Sequence, residues 1–285
     1  MQYLTPSTFT EAAEMAAEAQ GAARFLAGGT DLLVQMRAGA VAPGVVIDLK
    51  HIPGTHDIIR EPDGGWTIGV AVPGAALTEH ADLGRDWPGF VEAVDLIGST
   101  QVQGRATPVG NLMNASPAAD AVPAMIAAGA EISVLGADGA SRRMAVEDVP
   151  AGPGKTSLAP GDVVTALHLP ARAPGGGDAY QRFIPRTEMD IAVVGVGISL
   201  TRDGDTITAA RVALGAVAPT ALLAEEAAAA IIGTTLDEAA LAAAATAACN
   251  PIDDKRGTAK FRRHVAGVLA RRVAQTAYLR AGGAQ

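Results

Sequence analysis

The chain has 285 residues, 49% hydrophobic and 18% charged, a balance that supports a sizeable core and, at about 100–200 residues per domain, two domains. Acidic residues number 30 against 22 lysines and arginines, a net charge of −8 that repels phosphate backbones and anionic lipid and argues against a general nucleic-acid or membrane-surface binder. The one cysteine, Cys249, excludes disulfide frameworks, cysteine-ligated zinc and iron–sulfur clusters housed within the chain.

From the N-terminus, an alanine and glutamate run with hydroxyl residues at its entrance predicts a helix over 8–19. A short apolar strand over 23–27 runs into Gly28-Gly29-Thr30-Asp31, and a helix over 32–37 and a buried strand over 45–49 follow. The piece reads strand, glycine turn, helix, strand. Strands at 56–60 and 66–72 flank Asp63-Gly64-Gly65, a hairpin signal. Helical patterns occupy 75–83 and 90–97. Residues 98–120, dense in glycine, proline, asparagine and serine, predict a long ordered loop, a kind of segment that is usually functional. A helix over 121–128 and strands over 131–135 and 163–169 close a first domain.

Ala173-Pro174-Gly175-Gly176-Gly177 reads as a linker between domains spanning residues 1–173 and 178–285. Beyond it, strands at 179–184, 191–201 and 206–217 precede helices at 221–232, 236–248 and 260–279, the order of an α+β domain. No stretch approaches the roughly 20 apolar residues of a membrane span, and residues 1–6 lack the basic start of a signal peptide, so a cytoplasmic location is expected.

Two segments carry chemistry. In Gly28-Gly29-Thr30-Asp31, adjacent glycines let consecutive N–H groups face one concavity at a helix start, which suits a pyrophosphate; plain turn punctuation is the alternative. The pattern is neither a Rossmann fingerprint nor a Walker A loop. Residues 107–120 offer Gly110, Asn111, Asn114, Ser116 and Asp120, groups able to hydrogen-bond a ribityl chain or ribose; the alternative is an internally bonded loop with Asp120 as a helix N-cap. The histidines at 51, 56, 80, 168 and 264 are scattered without metal spacing, and no serine sits in a hydrolase elbow. Cys249 is expected to be a buried, inert thiol.

Taken together, Ala27-Gly28-Gly29-Thr30-Asp31-Leu32, Val109-Gly110-Asn111-Leu112 and Ala115-Ser116-Pro117-Ala118-Ala119-Asp120 resemble the FAD-binding medium subunit of molybdenum hydroxylases, the family of carbon monoxide dehydrogenase and bacterial xanthine dehydrogenase flavoproteins. Asp190-Ile191-Ala192-Val193-Val194-Gly195 and residues 253–263 extend the resemblance over the whole chain. It implies a two-part, PCMH-like FAD domain and a smaller domain with a three-stranded antiparallel sheet and helices, α+β overall. By resemblance, Leu26, Ala27, Gly28, Gly29, Thr30, Asp31, Leu32 and Leu33 form the first cofactor loop; Thr107, Val109, Gly110 and Asn111 form the second, with Ser116 nearby. Asp120 matches an acidic residue at the cofactor's polyol region, Ile97 and Val164 border the flavin, and Arg182 approaches the isoalloxazine.

The resemblance further implies a molybdenum cofactor on a large partner subunit, 2Fe-2S clusters on a small one, a dimer of heterotrimers, and NAD, a quinone or oxygen as external electron acceptor. No catalytic or metal-binding residue of this chain itself is implied. A free-standing flavoenzyme and a flavin-free docking subunit are the alternatives. Val109 stands where the family carries the first of two adjacent glycines; its Cβ is expected to crowd the pyrophosphate, and a β-branched residue resists φ > 0. Arg256, Lys260 and Arg263, spaced i, i+4, i+7, would share one helix face, either solvated or docking a partner subunit, although Gly257 interrupts the helix pattern.

Overall fold

The computed structural model describes residues 1–187 and 189–282. The N-terminal part builds β1 (Gln2–Leu4), α1 (Phe9–Glu18), β2 (Ala23–Leu26), α2 (Leu32–Arg37) and β3 (Val45–Asp48). β1 and β2 flank β3, both parallel to it. Thr8 caps α1 by accepting from the Glu11 N–H at 3.1 Å, and Ala12, Ala13 and Ala16 bury its inner face.

The next part contributes β4 (Ile58–Arg60), β5 (Trp66–Gly69), α3 (Gly74–Thr78), α4 (Ala81–Asp86), α5 (Pro88–Asp95), α6 (Thr100–Gln103), α7 (Pro108–Met113) and α8 (Ala121–Ala128). It continues with β6 (Glu131–Leu135), β7 (Ser141–Ala145), β8 (Pro150–Gly152), β9 (Lys155–Thr156) and β10 (Val163–Leu169). An antiparallel sheet of order β4-β5-β10-β6-β7 backs these helices, and β8 and β9 form a separate hairpin.

The C-terminal part comprises β11 (Gly176–Phe183), β12 (Val194–Asp203), β13 (Thr206–Gly215), β14 (Leu222–Leu223), α9 (Glu225–Ala229), α10 (Glu238–Ala248) and α11 (Ala259–Ala281). Its sheet is antiparallel, three long strands with two-residue β14 added at the β13 edge. Each part has its own apolar core, one around Phe90, Met125 and Leu167 and one around Ile198, Leu214 and Val273. α8 joins them. All its residues are buried, and a Cβ on Gly197 of β12 would stand 2.7 Å from the Pro123 carbonyl oxygen, so only glycine lets helix and sheet approach this closely. Among the described residues no helix is long and apolar enough to cross a membrane.

Several expected elements differ. The helix expected over 75–83 is two, because His80 leaves the helical region and its Nδ1 caps α4 by accepting from the Leu83 N–H at 3.3 Å. The segment 98–120 is not one loop: Pro108 at the first turn and Thr107, whose Oγ1 accepts from the Gly110 N–H at 2.9 Å, start α7 there. Residues 221–232 begin as β14, since Leu222 and Leu223 pair with Leu214 and Ala213, and only Glu225–Ala229 is α-helical. The linker expected over 173–177 gives up Gly176 and Gly177 to β11.

The shared basic face is also corrected. Arg256 precedes α11 in a turn, where its own N–H donates to Asp254 Oδ1 at 2.8 Å, so it cannot share a helix face with Lys260 and Arg263. Arg263 turns back to donate from Nε to the Cys249 carbonyl at 3.2 Å. The buried member of the cluster is Arg262, whose Nη1 donates to the Val193 carbonyl at 2.7 Å and whose Nη2 meets Asp254 Oδ1 at 2.7 Å. It ties residues 190–195 to residues 253–263. Cys249 is buried, and desolvation pushes its thiol up to about 11.

His168 bridges β5, β6 and β10 through Thr67 Oγ1 at 3.0 Å and Ser133 Oγ at 2.8 Å. Desolvation first, then the positive charge of Arg143, lowers its pKa to about 4. A histidine depressed on folding stabilises the fold above its unfolded pKa and loses that contribution as pH falls towards the folded value. Between pH 6.5 and 4 the protein is therefore expected to lose stability that a His168→Gln variant does not lose. Urea unfolding of both proteins across that range measures the difference.

Candidate functional site

The parallel strands β2 and β3 end together, and the chain leaving β2 turns at Gly28 and Gly29 before entering α2. Sites in such units form beyond the carboxyl ends of the strands. Gly29 has φ +75°, a left-handed conformation that glycine adopts without strain. Gly28 lies against the chain that enters α7: a Cβ there would stand 2.0 Å from the Arg105 carbonyl oxygen. The two turns thus meet, with no side chain between them.

Residues of both turns line one space. Among the described residues no acceptor partners the N–H groups of Gly28, Gly29, Thr30, Asp31 and Leu32, nor those of Thr107 and Val109 at the start of α7. Unpaired donors at such turns cost energy unless water or a ligand takes them, and a cluster of them favours an anion. Val109 fits without strain. It is helical, so no positive φ is demanded, and its side chain is buried in the core.

A cleft of about 600 Å³ opens beside the turns. Ala27, Gly28, Gly29, Thr30, Asp31 and Leu32 line one side; Thr107, Val109, Gly110 and Asn111 line another, and Ile97 and Val164 give apolar wall further in. Asp31 is exposed at the rim, yet surrounding protein atoms desolvate its carboxyl and raise its pKa, which lessens the charge it sets against an anion. Arg24, Gln35 and the segment around Gly154, Thr156 and Leu158 also line the cleft, none of them expected from the sequence, and Asn114 of the second segment joins them. Pro153-Gly154 and Pro160-Gly161 were the available signal, marking turns that fold residues 150–162 over the cleft.

Other expected residues lie outside the lining. Leu26 is buried beneath Gly29, and Leu33 stands on α2 with its side chain near the same glycine. Ser116 Oγ accepts from the Ala118 N–H at 3.3 Å, and Asn111 Oδ1, though at the cleft, accepts from the Ala121 N–H at 3.0 Å. Thr107, Ser116 and Asn111 thus spend side-chain acceptors within the segment and on the start of α8.

Asp120 makes no side-chain cap on α8. Its Oδ2 accepts from Arg182 Nη1 at 2.6 Å and its Oδ1 from the Tyr180 hydroxyl at 3.3 Å, linking α8 to β11. Both charged side chains are buried, 11% and 5% exposed, and Arg182 Nε has no partner among the described residues. Burial pushes the Asp120 carboxyl up to about 6, outweighing the opposing pull of Arg182. The same seam carries Glu92 with Arg280 and Asp178 with Arg172. No group of histidine, cysteine and carboxylate side chains among the described residues is arranged to hold a metal ion.

Residues 1–172 match the family described as the FAD binding domain in molybdopterin dehydrogenase, and residues 179–277 match the CO dehydrogenase flavoprotein C-terminal domain. The chain belongs to the FAD-binding medium subunits of the molybdopterin dehydrogenases. Among members of this flavoprotein family, the carbon monoxide dehydrogenase medium chain of Afipia carboxidovorans is 33% identical over 98% of this chain and 97% of its own length. The xanthine dehydrogenase FAD-binding subunit of Escherichia coli O157:H7 is 26% identical over 92% and 90%. In solved structures, the fold superposes on a chain of reconstituted CO dehydrogenase from Oligotropha carboxidovorans with a TM-score of 0.93, 31% identity and 98% coverage of both chains. A chain of quinoline 2-oxidoreductase from Pseudomonas putida 86 gives a TM-score of 0.88 at 26% identity, covering 100% of this chain and 98% of that one.

Proposed function

We propose that this chain is the electron-transfer flavoprotein subunit of a heteromeric molybdenum hydroxylase. A large partner subunit carries the molybdenum cofactor and oxidises the substrate, a small partner carries 2Fe-2S clusters, and electrons leave through this chain to NAD, a quinone or oxygen. Bound FAD would supply the redox centre. The chain's own work is to bind and orient. The amides of Gly28 to Leu32, with those of Thr107 and Val109, suit the diphosphate; Ile97 and Val164 offer apolar wall to a ring; and the Asp120–Arg182 pair ties the start of α8 to β11. A lone buried cysteine cannot ligate a cluster, so clusters belong to a partner.

The observation that carries this reading is the meeting of two turns whose amides lack acceptors among the described residues, in a chain matched over nearly its whole length by medium subunits. Purification of the native protein without denaturation tests it. Two further polypeptides, molybdenum and iron should accompany the chain at fixed ratio. A chain that elutes alone with flavin and without molybdenum would instead be a free-standing flavoenzyme.

A further inference from the structure

α7 is rooted in the fold: Val109 and Leu112 are buried, and Asn111 holds the first N–H of α8. α2 is not. None of its residues is buried, and Leu33 and Val34 stand exposed. Core packing therefore does little to set where the first turn sits relative to the second. One side-chain bond crosses between the helices: Gln35 Nε2 of α2 donates to Asn114 Oδ1, at the end of α7, at 2.8 Å. Both residues line the cleft.

We infer that the Gln35–Asn114 hydrogen bond is a positioning clamp that sets the spacing of the two turns, so that amides from both act on one diphosphate. The inference rests on the FAD reading above. The contact of Gly28 with the Arg105 carbonyl oxygen stops the turns from closing further, and the clamp stops α2 from swinging away. A ligand with two linked phosphates is recognised best when its donors are already at the right separation, since the ordering cost then precedes binding. Gln35 and Asn114 act through the turns and are positioning residues.

The test uses the full-length chain freed of cofactor, titrated with FAD and with ADP, which shares the diphosphate and lacks the flavin. Gln35→Leu removes the donor and leaves an apolar side chain one atom shorter. Loss of one hydrogen bond predicts dissociation constants about 2- to 10-fold higher for FAD and for ADP alike. The melting temperature of the cofactor-free chain should stay at the parent value, because neither side chain belongs to the core. Asn114→Leu should have the same effect, and the double variant should bind no worse than either single one, as expected for two residues acting through one bond. Parent-like binding by Gln35→Leu overturns the clamp, as do additive losses in the double variant or a loss seen with FAD and not with ADP. A parent chain that binds neither FAD nor ADP would contradict the flavin reading itself, and is told apart by needing no variant.

Discussion

Gly28→Ala is expected to weaken FAD binding by about 5- to 150-fold, the equivalent of the 1–3 kcal/mol that overpacking typically costs. The added methyl would lie 2.0 Å from the Arg105 carbonyl oxygen and 2.8 Å from its carbon, and neither can yield without moving backbone. In the cofactor-free protein the first turn can shift outwards at the cost of the single Gln35–Asn114 bond, because α2 has no buried residue to anchor it. Binding would force the turns back together, so the strain falls mainly on FAD affinity and less on stability. Gly104→Ala is the control, because nothing lies within 4 Å of a Cβ there and its conformation is right-handed helical. Titration of both variants by flavin fluorescence should show loss only for Gly28→Ala; equal affinity would mean that the turns need not touch.

Asp120→Ala is expected to destabilise the fold by about 3–5 kcal/mol, the usual cost of leaving a buried charge without its partner. Arg182 is 5% exposed, and its Nε already lacks an acceptor among the described residues. Loss of a helix cap would cost only about 1 kcal/mol, so the size of the effect distinguishes the two roles. Replacing Arg182 by methionine in the same chain should recover most of the loss, since the unpaired charge is then gone. Urea unfolding of the single and double variants gives both numbers. If Asp120→Ala lost 1 kcal/mol or less, the pair would not hold α8 to β11 as described.

The legibility of this protein in its sequence followed how local the causes were. The β2–turn–α2–β3 unit was readable because an apolar strand, two glycines and a second apolar strand are consecutive. The paired segments were readable as a site for the same reason. Strand β7 was not, since Ser141, Arg142 and Arg143 face solvent and leave no apolar alternation to read. Asp120 was singled out, but its partner stands 62 residues away on β11, and no spacing rule reaches so far. In residues 107–120 the polar side chains are the visible signal, whereas the fold commits those of Asn111, Ser116 and Asp120 to partners within the protein. Among the late arginines, sequence alone gave no reason to separate buried Arg262 from Lys260 and Arg263. That distinction comes from the Val193 and Ala216 carbonyls that receive its guanidinium.

The central claim is that the cleft between the two turns holds one FAD without a covalent bond. Neither turn contains a histidine or cysteine to attach one. The most direct measurement is the visible spectrum of the natively purified chain, followed by mass spectrometry of the small molecules that denaturation releases. One FAD per chain, released intact on denaturation and displaced by excess ADP, is the predicted result. A colourless native protein that yields no FAD, and takes up none when it is supplied, would contradict the account.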